Sequence, residues 1–281
     1  MKVIAETLEV SRSNLYEDKT KHENEKRHYR KAGDAYYLPL IREVVDNRPT
    51  YGYRRVMALL NRSLEEKGQP RVNHKRVYRI MKLNGLLLKR YTARPTRTHN
   101  GTITTPESNI RWCSDIFEIP CWDRRCIRVA FSLDCCDREV MSYVATTGGI
   151  NGEMIKDLMA EAIESRFGFV DRVPHRVEWL TDNGAAYTAQ ETCSFAKGMG
   201  LTMCSTPTRS PESNGLAEAF IKTFKRDYVH VNALSDARSV LEKLPKWFED
   251  YNEYHPHKGL KMKSPREYRR ATAKLEECPI S

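Results

Sequence analysis

The chain has 281 residues, 40% apolar and 30% charged, which is enough for two domains and a sizeable buried core. It contains no run of about 18 apolar residues, which argues against a membrane-spanning helix. Residues 1–16 carry acids and lack an apolar stretch, which argues against a secretory signal and makes the cytoplasm the expected compartment.

The net charge of +10 is unevenly spread. Residues 1–100 hold 23 Lys/Arg against 11 Asp/Glu, and residues 101–281 hold 24 against 26. A polyanion-binding arm joined to a near-neutral body has this distribution, although a solubilising surface would produce it too. The eight cysteines form no Cys-x-x-Cys pair and no Cys/His array. Reduced, mostly buried thiols are therefore expected, not a structural zinc or a disulfide framework.

Residues 1–33 read as a charged N-terminal helical segment, sparse enough in apolar periodicity to fit a truncated or fused N-terminus. Residues 34–88 predict a small all-α domain. Leu38, Ile41, Val44 and Val45 repeat at helical spacing until Pro49, and Val56, Leu59 and Leu60 mark a second helix after Tyr51-Gly52-Tyr53. Asn73 is a good N-cap for a third helix, with Val77, Ile80 and Met81 on one face and Asn84-Gly85 as its stop. The other face shows His74, Lys75, Arg76, Arg79 and Lys82. Three short helices ending in a basic one suit a helix-turn-helix-like DNA-binding module, and an ordinary solvated face would look the same. Residues 89–110 form a basic linker, including Arg94 and Arg97, that suits a path along a phosphate backbone.

Residues 111–270 change character. Strands are predicted at 112–119, 128–133 and 140–146, a helix at 151–167, a strand at 176–180, a helix at 188–199 and a short strand at 201–204. A Pro-punctuated loop at 206–212 precedes helices at 213–229 and 235–254, and residues 271–281 are left as a tail. This order indicates an α/β domain with a mixed sheet.

Three acids stand out. Asp115 lies inside an otherwise apolar strand, where a charge is costly unless it is paired or holds a metal. Asp182 follows a hydrophobic strand and precedes Asn183-Gly184, at a strand end where ligands gather in α/β sheets; turn-capping explains it equally well. On the helix after Asn214-Gly215, Leu216, Phe220 and Phe224 form an apolar face, and Glu218, Lys222 and Lys225 lie opposite. That face suits a metal-binding carboxylate with phosphate-binding amines, or simply an exposed Glu218–Lys222 pair.

Taken together the three acids are more specific. Sixty-six residues separate Asp115 from Asp182, 35 separate Asp182 from Glu218, and Lys225 follows seven further on. This pattern resembles the signature of the retroviral-integrase superfamily of DDE transposases. Leu-Thr-Asp-Asn-Gly-Ala-Ala-Tyr (180–187) and the string from Ser210 through Tyr228 resemble bacterial insertion-sequence transposases. So do Tyr-Asn-Glu-Tyr-His-Pro-His (251–257), Ser-Pro-Arg-Glu-Tyr (264–268) and, upstream, Thr-Tyr-Gly-Tyr-Arg-Arg (50–55). The resemblance covers roughly residues 34–270, and is to the branch whose transposase is made from two overlapping frames, with this chain as the downstream one. One departure is His255, where many relatives carry Arg; it is expected to alter a DNA contact and not the catalytic set.

The resemblance implies an RNase-H-like integrase catalytic core with a mixed sheet, preceded by the helix-turn-helix-like domain. Asp115, Asp182 and Glu218 are then the catalytic, metal-binding carboxylates, an all-oxygen set suited to Mg²⁺ or Mn²⁺. Two ions about 3.5–4 Å apart would serve an in-line phosphoryl displacement. Water would first free a 3′-OH at a transposon end, and that 3′-OH would then attack a second phosphodiester. Lys222, Lys225, Arg226 and Asn214 are the expected DNA contacts beside the carboxylates. Arg54, Arg55, Lys75, Arg76 and Arg79 are expected contacts in the helical domain, with Arg94 and Arg97 in the linker. The implied partners are transposon-end and target DNA, a second copy in a dimer or larger assembly, and an upstream-frame helix-turn-helix protein, separate or fused. Two other readings stay open: a DNA-binding regulator without catalysis, and a hydrolytic nuclease of the same fold.

Overall fold

The computed structural model describes residues 33–89, 104–205 and 215–276. The expected N-terminal segment, most of the basic linker and the loop before Gly215 lie outside the described residues. The first unit is three helices: α1 (Asp34–Asn47), α2 (Tyr53–Glu66) and α3 (His74–Leu83). Ile41, Val56, Leu60, Leu64, Val77, Ile80 and Met81 meet in one buried cluster, each contributing about 1.5–3 kcal/mol by leaving water. The Asn73 side chain accepts from the Lys75 amide at 2.9 Å, a cap that contributes about 1 kcal/mol. Asn61 closes the unit at its centre, exchanging two hydrogen bonds with the backbone of Val72.

The second unit is built on strands β1 (Arg111–Pro120), β2 (Cys126–Asp134), β3 (Val140–Thr146), β4 (Val177–Thr181) and β5 (Leu201–Ser205). They lie in the order β3-β2-β1-β4-β5. The first three form an antiparallel meander, and β1–β4 and β4–β5 are parallel. Helix α4 (Gly152–Phe167) makes the crossover from β3 to β4, and the turn α5 (Ala185–Thr188) with α6 (Gln190–Gly198) leads to β5. Alternation along the strands then divides the side chains. Trp112, Ala130, Trp179 and Leu201 pack under Ile155, Leu158, Met159 and Ile163 of α4. Cys113, Phe117, Phe131 and Leu180 pack on the opposite face. That second face is covered by α7 (Gly215–Phe224), through Ala217, Phe220 and Phe224, and by α8 (Ala237–Tyr254), through Val240, Leu244, Trp247 and Phe248. This mixed sheet between two helical layers is the RNase-H-like core that the sequence led us to expect. The seven cysteines among the described residues are free thiols.

Two features differ from expectation. The helix expected over 213–229 is α-helical only to Phe224; Lys225–Val229 form a π turn, closed by the His230 amide on the Lys225 carbonyl at 2.8 Å. The second is a ninth helix, α9 (Pro265–Glu276), which occupies part of the expected tail. Ser264 and Glu267 form its capping box: the Ser264 amide donates to Glu267 Oε2 at 2.7 Å, and the Glu267 amide to Ser264 Oγ at 3.3 Å. Pro265 sits where a helix has no use for an amide hydrogen. The residues Ser-Pro-Arg-Glu carry that signal in the sequence itself.

The two units are joined through a polar seam. Asp227 in the π turn is only 7% exposed. It accepts from Thr50 Oγ1 at 2.6 Å, from Arg55 at 3.2 Å and from Arg226 twice at 2.6 Å. Beside it, the Tyr51 hydroxyl meets His255 Nδ1 at 2.8 Å. Arg48 forks onto Asp250, which also accepts from the Tyr228 hydroxyl. At the far edge Arg62 donates to the Tyr254 carbonyl and pairs with Glu267. Helix α9 is tied to the same edge by Arg266, which reaches Glu139, Glu249 and Glu253.

Removing the shared anion leaves two arginines and a hydroxyl without their partner in a poorly hydrated place. Asp227→Ala is therefore expected to cost about 3–5 kcal/mol in denaturant unfolding. A loss below about 1 kcal/mol would mean that the seam contributes no more than surface ion pairs do.

Candidate active site

Asp115 and Asp182 are brought together by strand register. Cys113 on β1 pairs with Leu180 on β4 in a parallel ladder. The same offset two residues further on sets Asp115 beside Asp182, just past the last residue of β4. Both alternate onto the face of Cys113 and Leu180, which is the face that α7 covers. Ala217 and Phe220 anchor the start of α7 on that face, and Glu218 lies between them. The middle of β1, the residue just after β4 and the start of α7 thus bring three carboxylates toward one face of the sheet.

Each acid has a local partner. Asp115 accepts from the Ile116 amide at 2.7 Å. Asp182 accepts from the Gly184 amide at 3.0 Å, so it caps its own turn as well as standing at the strand end. A Cβ at position 184 would come within 3.0 Å of the same Asp182 oxygen, which is why a glycine suits that turn. Glu218 pairs with Lys222 at 3.3 Å, the i, i+4 pair anticipated from the sequence.

The electrostatics single out Asp115. Burial pushes its carboxyl up to about 6; the Ile116 amide opposes this, and the charges of Asp182 and Glu218 add to it. Beneath the acids, the buried Tyr187 hydroxyl meets Ser114 Oγ at 2.6 Å. Burial raises this phenol further, as do the Asp115 and Asp182 charges, so it stays protonated. Together Tyr187 and Ser114 form a fixed, neutral floor to the acidic edge. Neither stood out in the sequence, although Tyr187 closes the 180–187 string.

Three like charges, Asp115 and Glu218 half-buried and Asp182 exposed, form a set of oxygen donors whose mutual repulsion a hard cation relieves. The donor chemistry therefore fits Mg²⁺ or Mn²⁺. As the side chains stand, no group of three or more His, Cys, Asp or Glu among the described residues is closed around one ion position. Glu218 is turned to Lys222, and ligation requires it to swing away.

The expected DNA contacts fall into three groups. Lys222 is exposed, and Lys225 is half-buried with its ammonium 5.8 Å from the centre of the Phe117 ring, on the Glu218 side of the helix. Arg54 and Lys75 are exposed on the helical unit. Arg55 and Arg226 instead clasp Asp227, and Arg76 and Arg79 bind Asp34 at 2.7–3.0 Å. Of the basic face of α3, His74, Lys75 and Lys82 are the exposed members. Asn214, Arg94 and Arg97 lie outside the described residues. His255, expected at a DNA contact, is fully buried in the seam. Burial, with help from Arg55, Arg226, Arg48 and Arg62, holds its imidazole well below the usual range and hence uncharged.

Residues 34–94 match the HTH-like domain family, and residues 105–211 and 199–265 match Integrase core domain families. The chain is 48% identical over 275 residues to Transposase InsD for insertion element IS2A/D/F/H/I/K of Escherichia coli, covering 96% of this chain and 91% of that protein. Against Transposase InsD for insertion element IS2-9 of Escherichia coli strain K12 the identity is also 48%, covering 96% and 89%. Among solved structures, the HTLV-2 integrase catalytic core domain in complex with magnesium aligns at 19% identity and a TM-score of 0.42, over 57% of this chain and 95% of that one. The catalytic domain of Mos1 mariner transposase aligns at 17% and 0.43, over 60% and 78%.

The raised carboxyl gives a test by pH. A carboxyl raised to about 6 from 3.8 costs the fold nothing below pH 3.8, where it is protonated in folded and unfolded chains alike. The cost grows between those values and is complete above about 6. In metal-free buffer Asp115→Asn should therefore raise Tm at pH 7–8 and leave it unchanged below about pH 4. A Tm gain that is the same at both pH values would show that Asp115 is not charge-strained. With an HTH-like domain ahead of an integrase core, and near half identity along almost its whole length to insertion-element relatives, the chain belongs to the DDE transposases of bacterial insertion elements.

Proposed function

We propose that Asp115, Asp182 and Glu218 are the catalytic carboxylates of this transposase, carrying out strand cleavage at transposon ends and strand transfer into target DNA. The observation that supports this most strongly is the β1–β4 register, which sets Asp115 beside Asp182 under the start of the helix that carries Glu218. Held by these three carboxylates, Mg²⁺ or Mn²⁺, as two ions, would supply Lewis acidity to the attacking and leaving oxygens.

The protein's own groups do the rest. In the first step the oxygen of water bonds to the scissile phosphorus, the bond to the 3′ oxygen breaks, and a free 3′-OH remains. In the second step that 3′ oxygen bonds to a target phosphorus and a target 3′ oxygen leaves. Phosphodiester bonds are exchanged, so no covalent link to the protein is needed. Asp115 and Asp182, fixed in place by the β1–β4 pairing, would hold the cations against which the reacting phosphate lies. Lys222 neutralises Glu218 as it stands, and an entering phosphodiester offers the same ammonium a second anion. Lys225, on the same side of the helix, places a cation further along the strand's path. Tyr187 and Ser114 give the acids a rigid support.

The partners in this reading are transposon-end and target DNA in the cytoplasm, a second copy of the chain in a dimer or larger assembly on DNA, and an upstream-frame helix-turn-helix protein, separate or fused. The regulator reading, in which DNA is bound without catalysis, is disfavoured by the complete carboxylate set.

Asp115→Asn, Asp182→Asn and Glu218→Gln should each abolish Mg²⁺-dependent cleavage and joining, a fall of at least about 10³-fold, while binding to end-containing duplex survives. Full activity in Asp115→Asn would overturn the assignment. Nicks without joined products in the wild-type chain would point to a hydrolytic nuclease.

A further inference from the structure

We propose that a basic cleft between the helix-turn-helix-like unit and the C-terminal end of the core grips the DNA phosphate backbone, with Lys261 and Lys263 as its core-side contacts. This rests on the reading of the chain as a DNA transposase, and assigns it a second DNA-binding surface, away from the carboxylates.

The cleft has a volume of about 930 Å³ and is walled on one side by Arg62, Arg71 and His74, and on the other by Lys261, Lys263 and Arg270. Two acids line it, Glu65 and Glu267, and both are already paired, with Arg71 and Arg62. Arg270 is paired with Glu253. Among the described residues neither Lys261 nor Lys263 meets a carboxylate, so the cleft keeps an uncompensated positive charge. Across it, the first turn of α3 begins with His74 and Lys75, both exposed, and carries no acid. A helix start favours anions, and the first turn of this one carries Lys75 and no acid.

The lysines are presented by a constrained loop. Within residues 255–264, His255, His257, Leu260 and Ser264 are buried, while Lys258, Lys261 and Lys263 face outward. The His257 carbonyl accepts from Met262 at 2.8 Å, and the Lys263 carbonyl accepts from His257 at 3.0 Å. Lys261 and Met262 both adopt left-handed backbone, with φ of 55° and 65°, a conformation that residues other than glycine adopt only where the surroundings hold them. Arg62 of the helix-turn-helix-like unit holds the base of the loop through the Tyr254 carbonyl. The two walls are therefore held at a fixed separation. A run of evenly spaced phosphates is a ligand that matches Lys261 and Lys263 on one wall and the exposed Lys75 at the helix start across from them.

The test compares the full chain with its Lys261→Gln/Lys263→Gln variant, both lysines being exposed and, among the described residues, without a carboxylate partner, with Lys197→Gln on α6 as a control. Binding to a fluorescein-labelled duplex of about 30 base pairs is measured by anisotropy across salt concentrations without divalent metal. Each lost phosphate contact lowers the slope of log K against log salt by about 0.9, so the double variant should lose just under 2 and the control nothing. A double variant with the wild-type slope overturns the cleft while leaving the transposase reading intact. A wild-type chain that binds no duplex overturns both. A double variant that changes oligomeric state at an unchanged slope marks the cleft as a contact between copies, and the DNA assignment falls.

Discussion

The candidate site depends on one pairing, the parallel contact of β1 with β4. In an antiparallel meander such as β3-β2-β1, neighbouring positions come from nearby residues, and two acids facing each other would be read as a hairpin pair. The β1–β4 contact joins residues far apart in the chain, and its offset places Asp115 level with Asp182. It holds because Trp112 and Trp179 bury their rings on one face while Cys113 and Leu180 are buried on the other. A slip of one residue by either strand would exchange that strand's faces and turn its acid toward the opposite one. The apolar cost of that exchange enforces the position of the carboxylates more strongly than anything at the carboxylates themselves, since their own interaction is repulsive.

The second constraint is the Asp227 seam. Its buried carboxylate takes hydrogen bonds from both units, so neither unit satisfies it alone. A buried ion pair of this kind adds little net stability over an apolar contact but is costly to break. It therefore specifies one docking geometry for the helix-turn-helix-like unit. The neutral His255 belongs to this design. Surrounded by Arg48, Arg55, Arg62 and Arg226, a charged imidazole would add to their repulsion, and the uncharged ring instead meets the Tyr51 hydroxyl.

What the sequence shows and hides follows from the same physics. The five strands are legible because apolar runs and turn residues mark them locally, and the Asn73 cap is legible because it acts within two residues. The three acids are legible only as a spaced set, since Asp182 and Glu218 each make the ordinary local contact that their neighbours predict. The seam is not legible. Arg55 and Asp227 are 172 positions apart, and a basic residue on a helix looks the same whether its anion is a phosphate or a distant carboxylate. Arg55, Arg76, Arg79 and Arg226 are residues of this kind, expected at DNA from the sequence and found beside carboxylates in the structure. Helix α9 escapes the apolar periodicity search because ion pairs hold it, through Arg266 and Glu267, and only its capping box betrays it.

The π turn connects the two constraints. Helix α7 carries Glu218, Lys222 and, at its end, Lys225; two residues later the same backbone carries Asp227. A regular helix with one buried stripe would not bury three successive residues, yet Asp227, Tyr228 and Val229 are all buried. The wider turn makes this possible by directing Tyr228 and Val229 into the sheet-side core, while Asp227 reaches Thr50 and Arg55 of the other unit. Nine residues, about 13 Å along a helix, separate the candidate carboxylate from the seam. Phe220 and Phe224 pack that length against β1, β2 and α8. The contact with the helix-turn-helix-like unit and the third candidate carboxylate are therefore carried by one continuous helical segment.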